Sequence, residues 1–160
     1  MSIVYRKIEQ RDNAILSRLI KKVFVEFGID MPGTVYTDPT TDALFELFQT
    51  PGSVYWIAEE DNEIVGGCGI FPTAGLPEGY AELVKLYLSA AARGKGTGNA
   101  LMQKSFQSAR ETGYTHLYLE SFEELSKAIS LYERNGFTLL GDALGNSGHF
   151  ACPIWMEKKL

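Results

Sequence analysis

Two rhythms of apolar and polar residues run through this chain. Ile15, Leu16, Leu19, Ile20, Val23, Phe24 and Phe27 recur at spacings of three and four, which marks a helix with one buried face. Asp12 stands at its start as a cap, and Gly28 ends it. Residues 3–8 ahead of it read as a first strand. Asp38 or Thr41 opens a shorter helix carrying Leu44, Phe45, Leu47 and Phe48, and Pro51-Gly52 stops it. Two β-rich runs, 53–58 and 63–70, flank Glu60-Asp61-Asn62 and predict a hairpin.

The second half follows a different order. After a Gly/Pro-rich loop at 71–79, residues 80–88 are rich in β-formers and lead straight into Ser-Ala-Ala-Ala-Arg93-Gly94-Lys95-Gly96-Thr97-Gly98. Leu101, Met102, Phe106 and Ala109 then form one helical stripe, with Gly113 just past its end, and 115–120 is a strong strand. Strand, loop, helix and strand in that order imply a right-handed crossover between parallel strands. A helix over about 123–134 stops at Asn135-Gly136, and 137–140 with 152–156 supply two last, antiparallel strands. The expected fold class is α+β: a mixed sheet with helices on both faces and one parallel pair near its middle.

Composition narrows the setting. At 160 residues the chain is read as one domain, 1–160, since compact domains most often hold about 100–150 residues. Apolar residues make up 45% and charged residues 22%, and no apolar run has the roughly 20 residues needed to cross a bilayer, so no membrane association is expected. The first residues lack the apolar core of a signal peptide, and Cys68 and Cys152 have no metal or redox spacing. A reducing cytoplasm is the expected home, with no metal. A net charge of -5, with no basic cluster to offset it, argues against nucleic acid as a partner and mildly favours a cationic substrate.

Three glycines within residues 94–98 leave two readings open. One is a structural turn; the other is an anion site, where successive N–H groups and the positive end of a helix dipole converge. The known phosphate fingerprints fail here. A Walker loop needs Ser or Thr after Gly-Lys, but Gly94-Lys95 is followed by Gly96. A dinucleotide fingerprint needs G-x-G-x-x-G, and Gly94-x-Gly96 leads to Asn99, while Gly96-x-Gly98 leads to Leu101.

What Arg93-Gly94-Lys95-Gly96-Thr97-Gly98 does resemble is the Q/R-x-x-G-x-G/A signature of the GNAT superfamily of N-acetyltransferases. Downstream, Ala128-Ile129-Ser130-Leu131-Tyr132-Glu133-Arg134-Asn135-Gly136-Phe137 is similar to the family's A-x-x-L-Y-E-K-x-G-F segment. Upstream, Glu82 precedes Arg93 by the interval at which several members carry a catalytic glutamate. The resemblance implies acetyl-coenzyme A as co-substrate, with its pyrophosphate on the amides of Arg93, Gly94, Lys95, Gly96, Thr97 and Gly98. It also implies a splayed parallel strand pair in which the pantetheine arm pairs with main-chain groups of Leu86, Tyr87 and Leu88. The reaction so implied is direct attack of a primary amine of a small molecule or peptide on the thioester. Glu82 would be its base and Tyr132 its acid.

Other polar residues are weaker candidates. Glu120, ending a strand, and His149, in the last loop, are read as substrate contacts or as alternative bases. Cys68 and Cys152 are read as small core residues, consistent with direct transfer. The pattern departs at Leu125, where many family members carry an asparagine that holds the pantetheine. An acyl-coenzyme A sensor without catalysis is the competing class; it would keep the glycine loop but would not need Glu82 and Tyr132 together. A homodimer is compatible with the sequence.

Overall fold

The structure, a computed structural model, describes residues 2–160. Its elements are β1 (Ile3–Lys7), α1 (Asn13–Glu26), α2 (Leu44–Leu47), β2 (Val54–Glu60), β3 (Glu63–Phe71), β4 (Tyr80–Leu88), α3 (Thr97–Thr112), β5 (His116–Ser121), α4 (Ser126–Arg134), β6 (Thr138–Leu139) and β7 (Ile154–Lys159). The strands form one sheet in the order β1-β2-β3-β4-β5-β7-β6. Every neighbouring pair is antiparallel except β4–β5, the central pair, which is parallel. The expected α+β architecture is therefore observed. No helix among the described residues is long and apolar enough to cross a membrane.

Each sheet face carries its own core. On one, α1 buries Leu16, Ile20 and Phe24, and α2 buries Leu44, against Tyr55 and Ile57 of β2. On the other, α3 buries Leu101, Met102, Phe106 and Ala109 against Ala81, Leu83, Leu117 and Leu119. Fully burying such side chains contributes roughly 1.5–3 kcal/mol each. Ile15 falls off the α1 stripe and faces solvent.

Several local expectations need correction. Asp12 precedes α1 but does not cap it, because its carboxylate accepts from two Arg6 nitrogens at 2.8 Å each and from the Glu9 N–H at 2.7 Å. Asp38 caps a 3-10 turn (Pro39–Asp42), not α2, which begins only at Leu44. The α4 helix starts at Ser126, after a 3-10 turn over Glu123–Leu125. The last strand begins at Ile154 rather than Cys152 and runs to Lys159, past the expected end. Pro153, which has no N–H to donate, precedes its first residue, and β5 pairs with it as far as Lys159. The hairpin turn is tighter than drawn: Asp61 and Asn62 alone turn the chain, both at positive φ (52° and 67°), as a primed two-residue turn requires.

Two irregularities shape the centre of the sheet. The β4–β5 ladder covers only Tyr80, Ala81 and Glu82, so β4 beyond Glu82 lacks a strand partner on that side and the pair splays. Opposite, Gly67 pairs with Tyr87 and Gly69 with Val84, so Cys68 of β3 faces both Lys85 and Leu86 of β4. This is a β-bulge, with Lys85 in left-handed backbone at φ 55°. The Tyr55 phenol crosses β3 to donate to the Lys85 carbonyl at 2.7 Å. A glycine at position 67 makes that crossing possible, since a Cβ there would stand 2.5 Å from the Tyr55 ring.

Candidate active site

Where β4 and β5 part, a cavity of about 320 Å³ opens. Its wall takes residues from both cores, Phe24 and Phe48 from one and Tyr132 from the other. Glu82, Leu86, Tyr87, Glu120, Tyr132 and His149 all line it, so the expected base, acid, two of the pantetheine positions and both substrate candidates converge.

Glu82 is buried at the last paired position of β4. Burial pushes its carboxyl up, and nearby Glu120 adds to the rise, against opposing effects of the Thr73 hydroxyl and Lys85; the result is about 7. Thr73 donates to Glu82 Oε1 at 2.6 Å, leaving Oε2 with no hydrogen bond among the described residues. A carboxyl poised near neutrality is half-ionised where a general base must work.

Tyr132 projects from α4, buried against Phe137 in an edge-on ring contact at 5.8 Å. Burial pushes its phenol well above the ordinary tyrosine value, so it stays protonated. Its hydroxyl has no hydrogen-bond partner among the described residues, which suits a group that gives a proton away.

The remaining polar groups are held in place. Glu120 accepts from the Tyr118 phenol at 2.7 Å and from the Ser147 hydroxyl at 2.6 Å. His149 Nε2 lies 2.8 Å from Asp38 Oδ2, so the last loop is fastened across the cavity mouth to the segment ahead of α2. Burial would raise the Asp38 carboxyl, but hydrogen bonds from His149 and Thr40 outweigh it and hold it below its ordinary value. Cys68 is core, as expected, whereas Cys152 lines the cavity. Burial pushes each thiol up to about 12, so neither is a ready nucleophile.

The glycine loop enters α3 beyond the end of β4, where Gly98 packs against Leu88 and against Leu131 of α4. Gly94 and Gly96 have φ of 75° and 81°, conformations that glycine adopts without strain, and Gly96 is the residue ahead of the helix. A Cβ at Gly96 would meet nothing within 4 Å, so this glycine is required for backbone shape and leaves open space above the loop. At Gly98 a Cβ would press on Leu88 Cδ1 at 3.3 Å and Leu131 Cδ2 at 3.4 Å, so that glycine sets the close approach of helix to strand. In the first turn, the buried Thr97 hydroxyl has no partner, an orphaned polar atom beside free helix N–H groups. These features fit a bound anion.

The loop's cationic side chains are already engaged. Arg93 reaches Glu26 at 2.5 and 3.0 Å and the Leu88 carbonyl at 3.0 Å, and lies over the Phe27 ring. Lys95 sits 3.7 Å from Glu60. Arg93 thus pins the loop to α1 and to the end of β4, and amides are left to face an anion. Leu125 stands at the start of α4 and lines the cavity, so its wall there is apolar.

Thr73 and Ser147 carried no signal in the sequence, Lys85 was legible only as a surface ion-pair partner for Glu82 and Asp38 only as a helix cap, yet all four stand on the cavity wall. For Lys85 the strand alternation pointed the wrong way, because two residues per repeat puts it on the face opposite Glu82 and only the bulge brings the two together.

Comparison with known proteins places this geometry in company. The family model described as Acetyltransferase (GNAT) family matches residues 20–137. A relative from Escherichia coli (strain K12), named "Uncharacterized N-acetyltransferase YjgM", is 38% identical over 160 residues, covering 99% of this chain and 96% of that one. Human N-acetyltransferase 8 is 31% identical over 127 residues, 78% of this chain but only 54% of the human protein. Among solved structures, an acetyltransferase of GNAT family from Staphylococcus aureus Mu50 superposes with a TM-score of 0.87 at 20% identity, covering 99% of each chain. The PaiA N-acetyltransferase from Thermoplasma acidophilum, in complex with coenzyme A, gives 0.77 at 21% identity over 100% of both chains.

Proposed function

The chain belongs to the GNAT family of acetyltransferases, and from that premise we propose that it moves an acetyl group from acetyl-coenzyme A to a primary amine of a small molecule or peptide in one ternary complex. The observation that carries this reading is the meeting of Glu82 and Tyr132 in one cavity, on the wall where β4 runs unpaired by β5. Acetyl-coenzyme A supplies the activated acyl group as a thioester.

This chain's residues do the rest. Amides of residues 93–98 at the start of α3 bind the pyrophosphate, and the orphaned Thr97 hydroxyl offers one more donor. Main-chain groups of Leu86 and Tyr87, open on the β5 side, position the pantetheine as an added strand would, at about 0.5–1.5 kcal/mol net per bond. Glu82 accepts the proton of the incoming ammonium on its free oxygen, directly or through a water. Glu120 holds the amine nearby. Tyr132 donates its phenolic proton to the departing sulfur and recovers one from the acetylated nitrogen, which sheds its second proton as the amide forms.

A sensor would have no use for a half-ionised buried carboxyl and an unpartnered phenol in one cavity. The test is calorimetric titration with acetyl-coenzyme A, ATP and NAD, followed by a thiol-release assay across a panel of amines. Selective binding of acetyl-coenzyme A with amine-dependent thiol release is expected. Binding without release on any amine would leave the sensor standing and the catalytic roles refuted.

A further inference from the structure

Every carboxylate on the cavity wall has a donor. Asp38 has His149 and Thr40, Glu82 has Thr73, and Glu120 has Tyr118 and Ser147. Lys85 lines the same cavity, is only 9% exposed, and has no acceptor. Among the described residues its ammonium makes no hydrogen bond or ion pair; burial lowers its pKa, and Asp38 and Glu82 oppose that through space and favour the charged form.

Such a lysine makes a poor core residue. A largely buried ammonium without a partner loses much of its hydration and regains no hydrogen bond for it, and this one also sits in left-handed backbone. The bulge that strains it is what turns it into the cavity. Leu83, Leu86 and Leu88 pack on the α3 face and Val84 and Tyr87 on the α1 face, so the alternation slips at Lys85 and delivers it to the wall that holds Glu82. Tyr55 clamps the slip through the Lys85 carbonyl. An anion brought by a ligand would supply the missing acceptor.

We infer that Lys85 binds a carboxylate of the acceptor, so that the substrates are amino acids and amino-acid-like amines. This rests on the amine-acetylation reading above. Glu82 and Lys85 lie three residues apart on one strand, about 10 Å between Cα atoms at the usual rise and less across a bulge. A compact zwitterion meets opposite charge at both ends, its ammonium at Glu82 and Glu120 and its carboxylate at Lys85. A polyamine would set a second cation against Lys85, which is repulsive and selects against it.

The experiment compares kcat/KM on paired acceptors by thiol release from acetyl-coenzyme A. The common amino acids are each set beside their decarboxylated amines, phenylalanine with phenethylamine and tyrosine with tyramine among them. Losing one charge-assisted bond corresponds to about 10–100-fold. The wild type should favour the amino acid by at least about tenfold in the pairs it turns over. In Lys85→Met that ratio should collapse toward one, chiefly through KM, and Lys85→Arg should keep part of it. Acetyl-coenzyme A affinity and melting temperature report whether each variant is folded, and Lys85→Gln, which also removes the charge, serves if Lys85→Met is not. Wild-type indifference to the carboxylate, or a Lys85→Met loss equal on both members of a pair, overturns the inference while leaving acetyl transfer intact. No turnover of any amine despite bound acetyl-coenzyme A overturns the acetylation reading, and this inference with it.

Discussion

The Tyr55 phenol, buried beneath β3, donates a 2.7 Å hydrogen bond to the carbonyl of Lys85, the residue that bends β4 out of register. The bond ties the core to the cavity wall. Tyr55→Phe keeps the ring and removes only the donor, so stability should fall by about 1 kcal/mol, or roughly 2–4 °C in melting temperature for a chain of this size. Turnover should fall as well, because the bulge is no longer held. An unchanged melting curve and unchanged kcat would show that the bulge stands without its clamp.

Glu82 titrates near 7, and a base works only when deprotonated. The rate should therefore climb about tenfold per pH unit below 7 and level off above it. Glu82→Gln should remove that limb and lower kcat/KM by about 10²–10⁴. Stability moves in the opposite sense. Between the ordinary value of 4.5 and about 7, the folded chain holds a proton that the unfolded chain has released, so its stability falls as pH rises through this window. Denaturant melts at several pH values should show this slope in the wild type and not in Glu82→Gln.

Tyr132 has a protonated phenol with no partner to lose, so Tyr132→Phe costs little in folding. Its kcat should drop by about 10²–10⁴ while affinity for coenzyme A, measured by calorimetry, stays within a few-fold. Unchanged kcat would take the acid role from Tyr132.

The two loop glycines should fail differently. Gly96→Val forces a branched side chain into left-handed backbone, at about 1–2 kcal/mol, with its side chain in the open space above the amides. Coenzyme A affinity should fall at least about tenfold with the fold retained. Gly98→Val drives into Leu88 and Leu131, so both affinity and melting temperature should drop. Retained affinity in Gly96→Val would refute the loop assignment.

Much of the scaffold was legible because it rests on local rules. The α1 stripe, the β2–β3 hairpin and the glycine-flanked α3 announce themselves through periodicity and turn residues within a few positions. The cavity's supporting contacts follow no such rule. Asp38 and His149 meet across 111 residues, Thr73 reaches Glu82 from a loop, and Lys85 arrives through a bulge whose clamp, the Tyr55 phenol passing Gly67, lies on two other strands. Pairing depended on the folded sheet, and spacing alone had no means to express it.

Two-substrate initial-velocity kinetics test the central claim most directly. Acetyl-coenzyme A and one accepted amine are varied against each other while free thiol is followed. Direct transfer in a ternary complex predicts intersecting double-reciprocal lines and thiol release that waits for the amine. Parallel lines, or a burst of one thiol per enzyme without amine, would mean that the acetyl group first passes to the protein and that Glu82 and Tyr132 do not work as described.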